Sequence, residues 1–181
     1  MTRYTRIAQL LHWLIALAIF TNLAFGTWMV TLDFSPQKLR FYSYHKWLGA
    51  SIFMLVLLRL AWRLGHRPPP LPVHMPAWER VAAHVSHTVL YALTLAVPIS
   101  GWLFSSAKGF KTVYFAIVPI PDLIAKNPPL AEVLKLWHLS LNYIMAALVV
   151  LHIAAALKHH FKDRDDVLAR MLPYVRSNRG A

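Results

Sequence analysis

Four long apolar segments constrain this chain more than any other feature of its sequence. Residues 7–30, 81–107 and 136–157 contain no Asp, Glu, Lys or Arg. A further segment, 42–64, has an uncharged stretch from Trp47 to Leu58 and then two arginines, Arg59 and Arg63. A helix that crosses a membrane needs about 20 mostly apolar residues. The sequence therefore predicts an all-α, integral membrane four-helix bundle, with helices at about 7–30, 42–64, 80–106 and 135–160 in a single membrane domain, 1–181.

Composition excludes several other classes of protein. Charged residues make up 14% of the chain and hydrophobic residues 57%, whereas soluble domains have about 25% charged residues. The absence of cysteine excludes disulfides, thiolate zinc sites, iron–sulfur clusters and covalently attached c-type haem. The net charge of +12 is divided among segments between apolar runs, which indicates an anionic lipid bilayer as the partner and no nucleic acid.

The distribution of lysine and arginine predicts the orientation of the bundle. With both termini inside, the inner segments hold eleven Lys and Arg residues and the outer loops hold seven, with Arg59 set aside. This favours cytoplasmic termini. The first apolar run is too long for a signal peptide, so we expect it to be retained as a helix. The apolar stretch Thr112–Pro121 is short and contains two prolines, which favours an interfacial loop.

Histidines occur at two depths of the predicted bundle. His138 and His152 are 14 residues apart on the last helix, so both face the same way, separated by about 21 Å along the axis. His12 lies near the inner end of the first helix, and His45 lies near the outer end of the second. The sequence therefore predicts an inner pair, His12 with His152, and an outer pair, His45 with His138.

Two pairs of imidazoles at two depths suit two b-type haems, each with both axial positions filled, as in electron-transfer proteins. Zinc would require three or four clustered ligands. The 14-residue step from His45 reaches Arg59, whose counter-charge would be a haem propionate, because the spans contain no carboxylate. The same step from His12 and from His87 reaches Gly26 and Gly101, which would leave room for a flat macrocycle.

Several alternatives stay open on these residues. His84 and His87 are alternatives to His12 as the inner ligand. For Arg59, the alternative to a haem propionate is that its side chain extends to the inner membrane surface. The two glycines would equally serve close helix packing. His159, which follows the last span, is a candidate to bind a quinone and pass protons to it, as is His87. A histidine-lined transporter without haem is a further alternative, but it would normally need acidic residues within the spans.

With these histidines placed, the chain resembles the bacterial cytochrome b561 family of small four-helix di-haem quinone oxidoreductases. The likeness extends from Tyr4 to Pro173. The matching motifs are His12-Trp13, His45 with Gly49, Arg59 to Arg63, Ala83-His84-Val85-Ser86-His87, Pro98-Ile99-Ser100-Gly101, Trp137-His138, His152 to Leu157 and His159-His160.

The resemblance implies the same four axial ligands, two haem b cofactors, and exchange with ubiquinone near the cytoplasmic haem, with His159 as the quinone contact. It also implies a multi-pass protein of the bacterial inner membrane, with superoxide as the periplasmic electron donor. Other members of the family carry electrons for hydrogenases or dehydrogenases, so a redox partner protein is the alternative. The outer loops carry seven basic and three acidic residues, a net charge of +4, which would attract an anionic donor. We expect the donor to approach near four lysines: Lys46, Lys108, Lys111 and Lys135.

Overall fold

The computed structural model describes residues 3–172, and four long helices dominate them. These are α1 (Arg6–Val30), α2 (Pro36–Gly65), α3 (Ala77–Lys108) and α4 (Pro128–Lys158). All four are long and apolar enough to cross a membrane. Successive helices run in opposite directions, so both ends of the described chain lie on one side, called the inner side below. The predicted all-α membrane bundle of four helices is confirmed.

Two helices begin well before the predicted boundaries because polar caps extend them beyond their apolar runs. The Ser35 hydroxyl accepts a hydrogen bond from the Lys38 amide, so α2 begins at Pro36. Asn127 accepts similarly from the Leu130 amide, and α4 begins at Pro128. Proline is favoured in the first helical turn, where its missing N–H has no helical partner to lose. Counting apolar residues alone therefore underestimates both helices at their outer ends.

The stretch predicted to be an interfacial loop forms a small antiparallel hairpin on the outer side. Its strands are β1 (Thr112–Tyr114) and β2 (Val118–Ile120), with Tyr114 opposite Val118. The hairpin is attached to α2, because the Trp47 indole donates to the Val113 carbonyl at 2.6 Å and Ser51 bonds the Tyr114 hydroxyl at 2.8 Å. The outer end of the bundle is thereby covered by ordered chain.

A buried layer lies midway between the two levels of histidines. Four residues, one from each helix, stand seven positions from a histidine of the inner or outer level: Ile19, Ile52, Thr94 and Met145. All four are buried. The three apolar members belong to one core cluster that also contains Ile15, Val56, Leu93 and Val97. The centre of the bundle is thus filled by side chains between the two levels.

The chain after α4 folds back across the inner side. A π-helical turn, His159–Asp163, ends at Arg164, whose φ of 51° lies in the left-handed region. The carbonyl of Arg170 then accepts a hydrogen bond from the side-chain Nε2 of Gln9 at 2.9 Å, and that of Met171 accepts from the Trp13 indole at 2.9 Å. The segment 164–172 therefore lies against the inner end of α1, close to His12.

Candidate functional site

The outer level brings one histidine from α2 and one from α4 face to face. The ring centroids of His45 and His138 are 6.3 Å apart, and the rings are nearly perpendicular. Both side chains lie mostly inside the bundle. The structure thus brings together the two residues that the spacing predicted as an outer pair.

Gly26 and Gly101 stand directly against these two imidazoles. A Cβ on Gly26 would lie 2.9 Å from Cε1 of His45, and a Cβ on Gly101 would lie 2.9 Å from Cε1 of His138. Real Cβ atoms do not approach other atoms so closely. Each glycine therefore leaves room for an imidazole of the outer level. That the two glycines also border a macrocycle stays a prediction.

The proton on His138 is fixed by two groups of α3. Nδ1 lies 2.9 Å from the Ser100 hydroxyl and 3.1 Å from the Val97 carbonyl, to which Ser100 itself donates at 2.8 Å. A carbonyl only accepts hydrogen bonds, so Nδ1 carries the proton and Nε2 keeps its lone pair. Histidines that bind metals characteristically bond their second ring nitrogen in this way.

At the inner level, three imidazoles meet. The rings of His12 and His152 have centroids 6.3 Å apart, the same separation as in the outer pair. His87, on α3, lies closer to His152, with 5.4 Å between centroids. The structure therefore keeps two of the three candidates, His12 and His87, next to His152, whereas His84 is exposed.

The spacing of the paired rings fits one iron between two imidazoles. With metal–nitrogen bonds of about 2.0 Å and about 1.2 Å from each nitrogen to its ring centroid, the centroids would be separated by about 6.4 Å. Both the His45–His138 and the His12–His152 separations match this value, and the His87–His152 separation is shorter. In addition, Nδ1 of His45 is buried without a hydrogen-bond partner. The donor set is nitrogen only, which suits haem iron.

Arg59 lies at the inner end of the bundle, next to α1 and α3. Its Nε donates to the Tyr91 hydroxyl at 2.9 Å and its Nη1 donates to the Ala8 carbonyl at 2.6 Å. Together with Arg63 it lines a small cleft near Tyr4, and the described residues that line it include no carboxylate. Burial raises the pKa of the Tyr4 hydroxyl, while the two nearby guanidinium groups act in the opposite direction. The cleft is therefore suited to an anionic group.

His159 lies apart from the paired imidazoles, in the π-helical turn that follows α4. Its Nδ1 is 2.7 Å from Asp165 Oδ2 and 3.1 Å from Asp163 Oδ2. Its Nε2 is 4.0 Å from Glu79 Oε2. The predicted quinone contact is thus surrounded by carboxylates from three segments of chain.

The lysines predicted to guide the donor have different surroundings. Lys108 pairs with Glu132 at 2.6 Å, and Lys135 is 3.9 Å from the same carboxylate. The Lys46 ammonium donates to the Ser105 hydroxyl and to the carbonyls of Phe110 and Lys111. Within residues 3–172, Lys111 alone of the four has an ammonium group with no polar partner. The positive charge of the outer rim is therefore partly neutralised.

Sequence reasoning missed three polar residues of these sites, Ser100, Tyr91 and Asp165. Ser100 and Tyr91 are partners of residues that were predicted, and their roles depend on how α3 is rotated toward α2 and α4. Asp165 depends on the turn that follows α4. A signal was present for Ser100, which precedes Gly101 in the quoted motif. No comparable pattern marks Tyr91 or Asp165.

Comparison with known proteins gives a consistent set of relatives. A family model described as "Prokaryotic cytochrome b561" matches residues 3–174. "Cytochrome b561 homolog 2" of Escherichia coli is 37% identical over 186 residues, covering 98% of this chain and 95% of that protein. "Probable superoxide oxidase CybB" of Yersinia pestis is 32% identical over 174 residues, covering 92% and 93% respectively. "Cytochrome b561 homolog 1" of Escherichia coli is 26% identical over 176 residues, covering 96% and 98%.

Proposed function

The chain belongs to the prokaryotic cytochrome b561 family, and from that premise we propose that it carries electrons across the membrane between two b-type haems. Membrane electron transfer and a haem b cofactor follow from the family. The finer proposal is that His45 with His138 holds an outer haem and that His12 with His152 holds an inner one. We further propose a periplasmic one-electron donor, superoxide, and ubiquinone as the acceptor.

One observation carries the proposal of two haems, the equal spacing of the two histidine pairs. Each pair has its centroids 6.3 Å apart, and each consists of one histidine of α4 and one from the α1–α2 half of the bundle. His87 belongs to α3 and lies at 5.4 Å from His152, so it breaks this pattern. His12 is therefore the better inner ligand, and His87 would lie beside the site.

When bound, the haem iron would accept and release one electron without a vacant position for oxygen. The protein's own residues would then set the conditions of transfer. Ser100 and the Val97 carbonyl orient the His138 ring, and Arg59 would supply a cation to a propionate of the inner haem. The buried layer around Met145 excludes water between the levels, which keeps the local dielectric low.

Superoxide as the donor is supported by the name of one relative, "Probable superoxide oxidase CybB", and by the basic outer loops. Superoxide is an anion that gives up one electron and leaves oxygen. Ubiquinone as acceptor is supported by the inner position of His159 and by its free ring nitrogen. Two such transfers, with two protons from the inner side, would convert one ubiquinone to ubiquinol.

The direct test is a reduced-minus-oxidised spectrum of the purified protein, with the haem quantified as its pyridine haemochrome. We expect two low-spin b-type haems per chain that do not respond to carbon monoxide. His138→Ala should leave one haem, because removal of one axial ligand affects only its own level. His12→Ala should likewise leave one, whereas His87→Ala should retain two.

Different results would contradict separate parts of the proposal. A folded preparation without haem would remove it altogether and would restore the transporter alternative. Two haems in His12→Ala with one in His87→Ala would reassign the inner ligand to His87. Superoxide that fails to reduce the haems of the intact protein would remove the proposed donor and leave electron transfer in place.

A further inference from the structure

The inner end of α4 carries a histidine that belongs to neither pair. The His159 side chain is only 13% exposed and lies in the π-helical turn, His159–Asp163. Four of the seven acidic residues of this basic protein are at this end of the bundle: Glu79, Asp163, Asp165 and Asp166. π-Helical turns are rare and often accompany functional sites. His159 therefore lies in an acidic part of an otherwise basic inner surface.

Asp165 makes the shortest contact with the ring. Its Oδ2 lies 2.7 Å from His159 Nδ1, and its side chain is 11% exposed. Its other oxygen, Oδ1, accepts a hydrogen bond from the Val167 amide at 3.0 Å. The backbone amide of Asp165 donates to the His159 carbonyl at 3.1 Å. The carboxylate is thus held on both sides and cannot easily turn away from the ring.

These contacts decide which ring nitrogen carries the proton of the neutral imidazole. An ionised carboxylate only accepts hydrogen bonds, so the proton lies on Nδ1. Nε2 is then the nitrogen that remains for another molecule. Its distance of 4.0 Å to Glu79 Oε2 is too long for a hydrogen bond.

The remaining charged groups hold this arrangement and connect it to water. Lys158 donates to Glu79 at 2.7 Å and to Asp163 at 2.8 Å, which ties the beginning of α3 to the end of α4. Asp163 Oδ2 is 3.1 Å from His159 Nδ1, and its side chain is 29% exposed. Nδ1 therefore has a second carboxylate beside it, and this carboxylate is open to the inner aqueous phase.

We infer that Asp165 is a positioning residue for proton delivery to the quinone, acting by holding His159 with its proton on Nδ1 and Nε2 directed to the quinone oxygen. The inference rests on the proposed function. Quinone reduction consumes two electrons, supplied from the inner haem, and two protons, supplied from the inner aqueous phase. In each proton transfer, the N–H bond at Nε2 of the doubly protonated ring breaks as the quinone O–H bond forms. The ring returns to its neutral Nδ1–H form. A proton from the inner aqueous phase then adds to Nε2 and regenerates the doubly protonated ring.

Asp165→Asn tests this role with little change in shape. The asparagine oxygen can still accept from the Val167 amide, but its NH2 group would face Nδ1 as a donor. Asp163 Oδ2, at 3.1 Å, would be the carboxylate oxygen left beside Nδ1, so a larger share of the neutral ring would carry its proton on Nε2, the wrong nitrogen for the next transfer. We expect kcat for ubiquinone reduction to fall by about tenfold or more, with KM changed less than about threefold.

The matched control is Asp166→Asn. The Asp166 carboxylate is adjacent in sequence to Asp165 but pairs with Arg170, at 2.8 Å. This variant should have wild-type kcat. A second readout is independent of turnover: ¹⁵N NMR of histidine-labelled protein, with His159→Gln to assign the signal. This should show Nδ1–H at His159 in the wild type and a larger fraction of Nε2–H in Asp165→Asn.

The outcomes separate this inference from the function on which it rests. In Asp165→Asn, both haems should bind and superoxide should reduce them as in the wild type. Wild-type kcat, or an unchanged tautomer, in Asp165→Asn would overturn the inference alone. Wild-type protein whose reduced haems fail to reduce ubiquinone would overturn the proposed acceptor, and the inference with it.

Discussion

At the scale of single residues, the partner of one imidazole nitrogen determines what the other nitrogen can do. In His138 the partners are a carbonyl and a hydroxyl on α3. In His159 the partner is a carboxylate, which carries a full negative charge. A carbonyl orients a ring that binds iron, and a carboxylate can in addition compensate a doubly protonated ring. The two partners therefore agree with the different roles proposed for these histidines, each of which acts through Nε2.

Gly101→Ala tests whether the outer ring needs the space that the glycine leaves. The added Cβ would stand 2.9 Å from His138 Cε1, so the ring or α3 must shift, at a cost of about 1–3 kcal/mol. We expect the purified variant to lose more than half of its outer haem, as measured by pyridine haemochrome and by the α-band spectrum.

Gly65→Ala is the matched control, because no atom lies within 4 Å of the Cβ it would add. It should retain two haems per chain. Full outer-haem content in Gly101→Ala, with an unshifted spectrum, would show that the contact with the ring does not matter.

The sequence was informative about the four histidines because helical periodicity alone gives the level and the face of each. It was less informative about the glycines. The spacing correctly placed Gly26 and Gly101 at the outer level, but only the rotation of each helix reveals that they contact imidazole. Hydrogen bonds such as that of Ser100 to His138 depend on the same rotation.

At the scale of elements, Lys46 links α2 to the chain between α3 and the hairpin. Its ammonium group donates at 3.2 Å to the Ser105 hydroxyl, at 3.4 Å to the Phe110 carbonyl and at 3.2 Å to the Lys111 carbonyl. The sequence suggested Lys46 as part of a donor entrance. The structure gives it partners that make it a connection between elements.

Lys46→Met should loosen this connection. Loss of hydrogen bonds from a charged donor costs about 1.5–3 kcal/mol, so amides of residues 109–120 should exchange with deuterium about tenfold faster or more. Hydrogen–deuterium exchange with mass spectrometry would measure this. Lys111→Met, which removes an ammonium group without a polar partner, should leave exchange nearly unchanged. Equal exchange in both variants would refute the role of Lys46.

The limits of the helices show which local signals the sequence analysis did not use. Ser35 before Pro36 and Asn127 before Pro128 are recognisable capping pairs. A count of apolar residues does not detect these caps, because it estimates the length of the membrane-spanning segment and not the length of the helix. The hairpin was not predicted either, because its short strands are stabilised mainly by contacts with α2, which the local sequence does not reveal.

At the scale of the whole molecule, charge is distributed unevenly between the two sides. The inner side combines many basic residues with most of the acidic ones, whereas three acids accompany the seven basic residues of the outer loops. Glu132 is the most influential of these three, since it lies within reach of both Lys108 and Lys135. The field that an anionic donor meets near Lys108 and Lys135 therefore depends strongly on this carboxylate.

Glu132→Gln should strengthen that field by leaving both ammonium groups without a counter-charge. We expect the rate of haem reduction by superoxide to rise about two- to threefold at low ionic strength and to lose this gain at about 0.5 M salt. Pulse radiolysis would provide superoxide and time resolution. Asp33→Gln removes an outer acid that has no ion pair among the described residues, and it should have a smaller effect. An unchanged or slower rate in Glu132→Gln would contradict steering by this rim.

The buried layer of Ile19, Ile52, Thr94 and Met145 has a consequence for the response of the protein to membrane voltage. About 21 Å between the histidine levels is roughly two-thirds of a hydrocarbon core of about 30 Å. An electron moving inward toward a negative cytoplasm would work against the field, by about 1.5 kcal/mol per 100 mV over this distance. Such a carrier would pass electrons inward most readily when the membrane is de-energised, and its flux would decline as respiration builds up the potential.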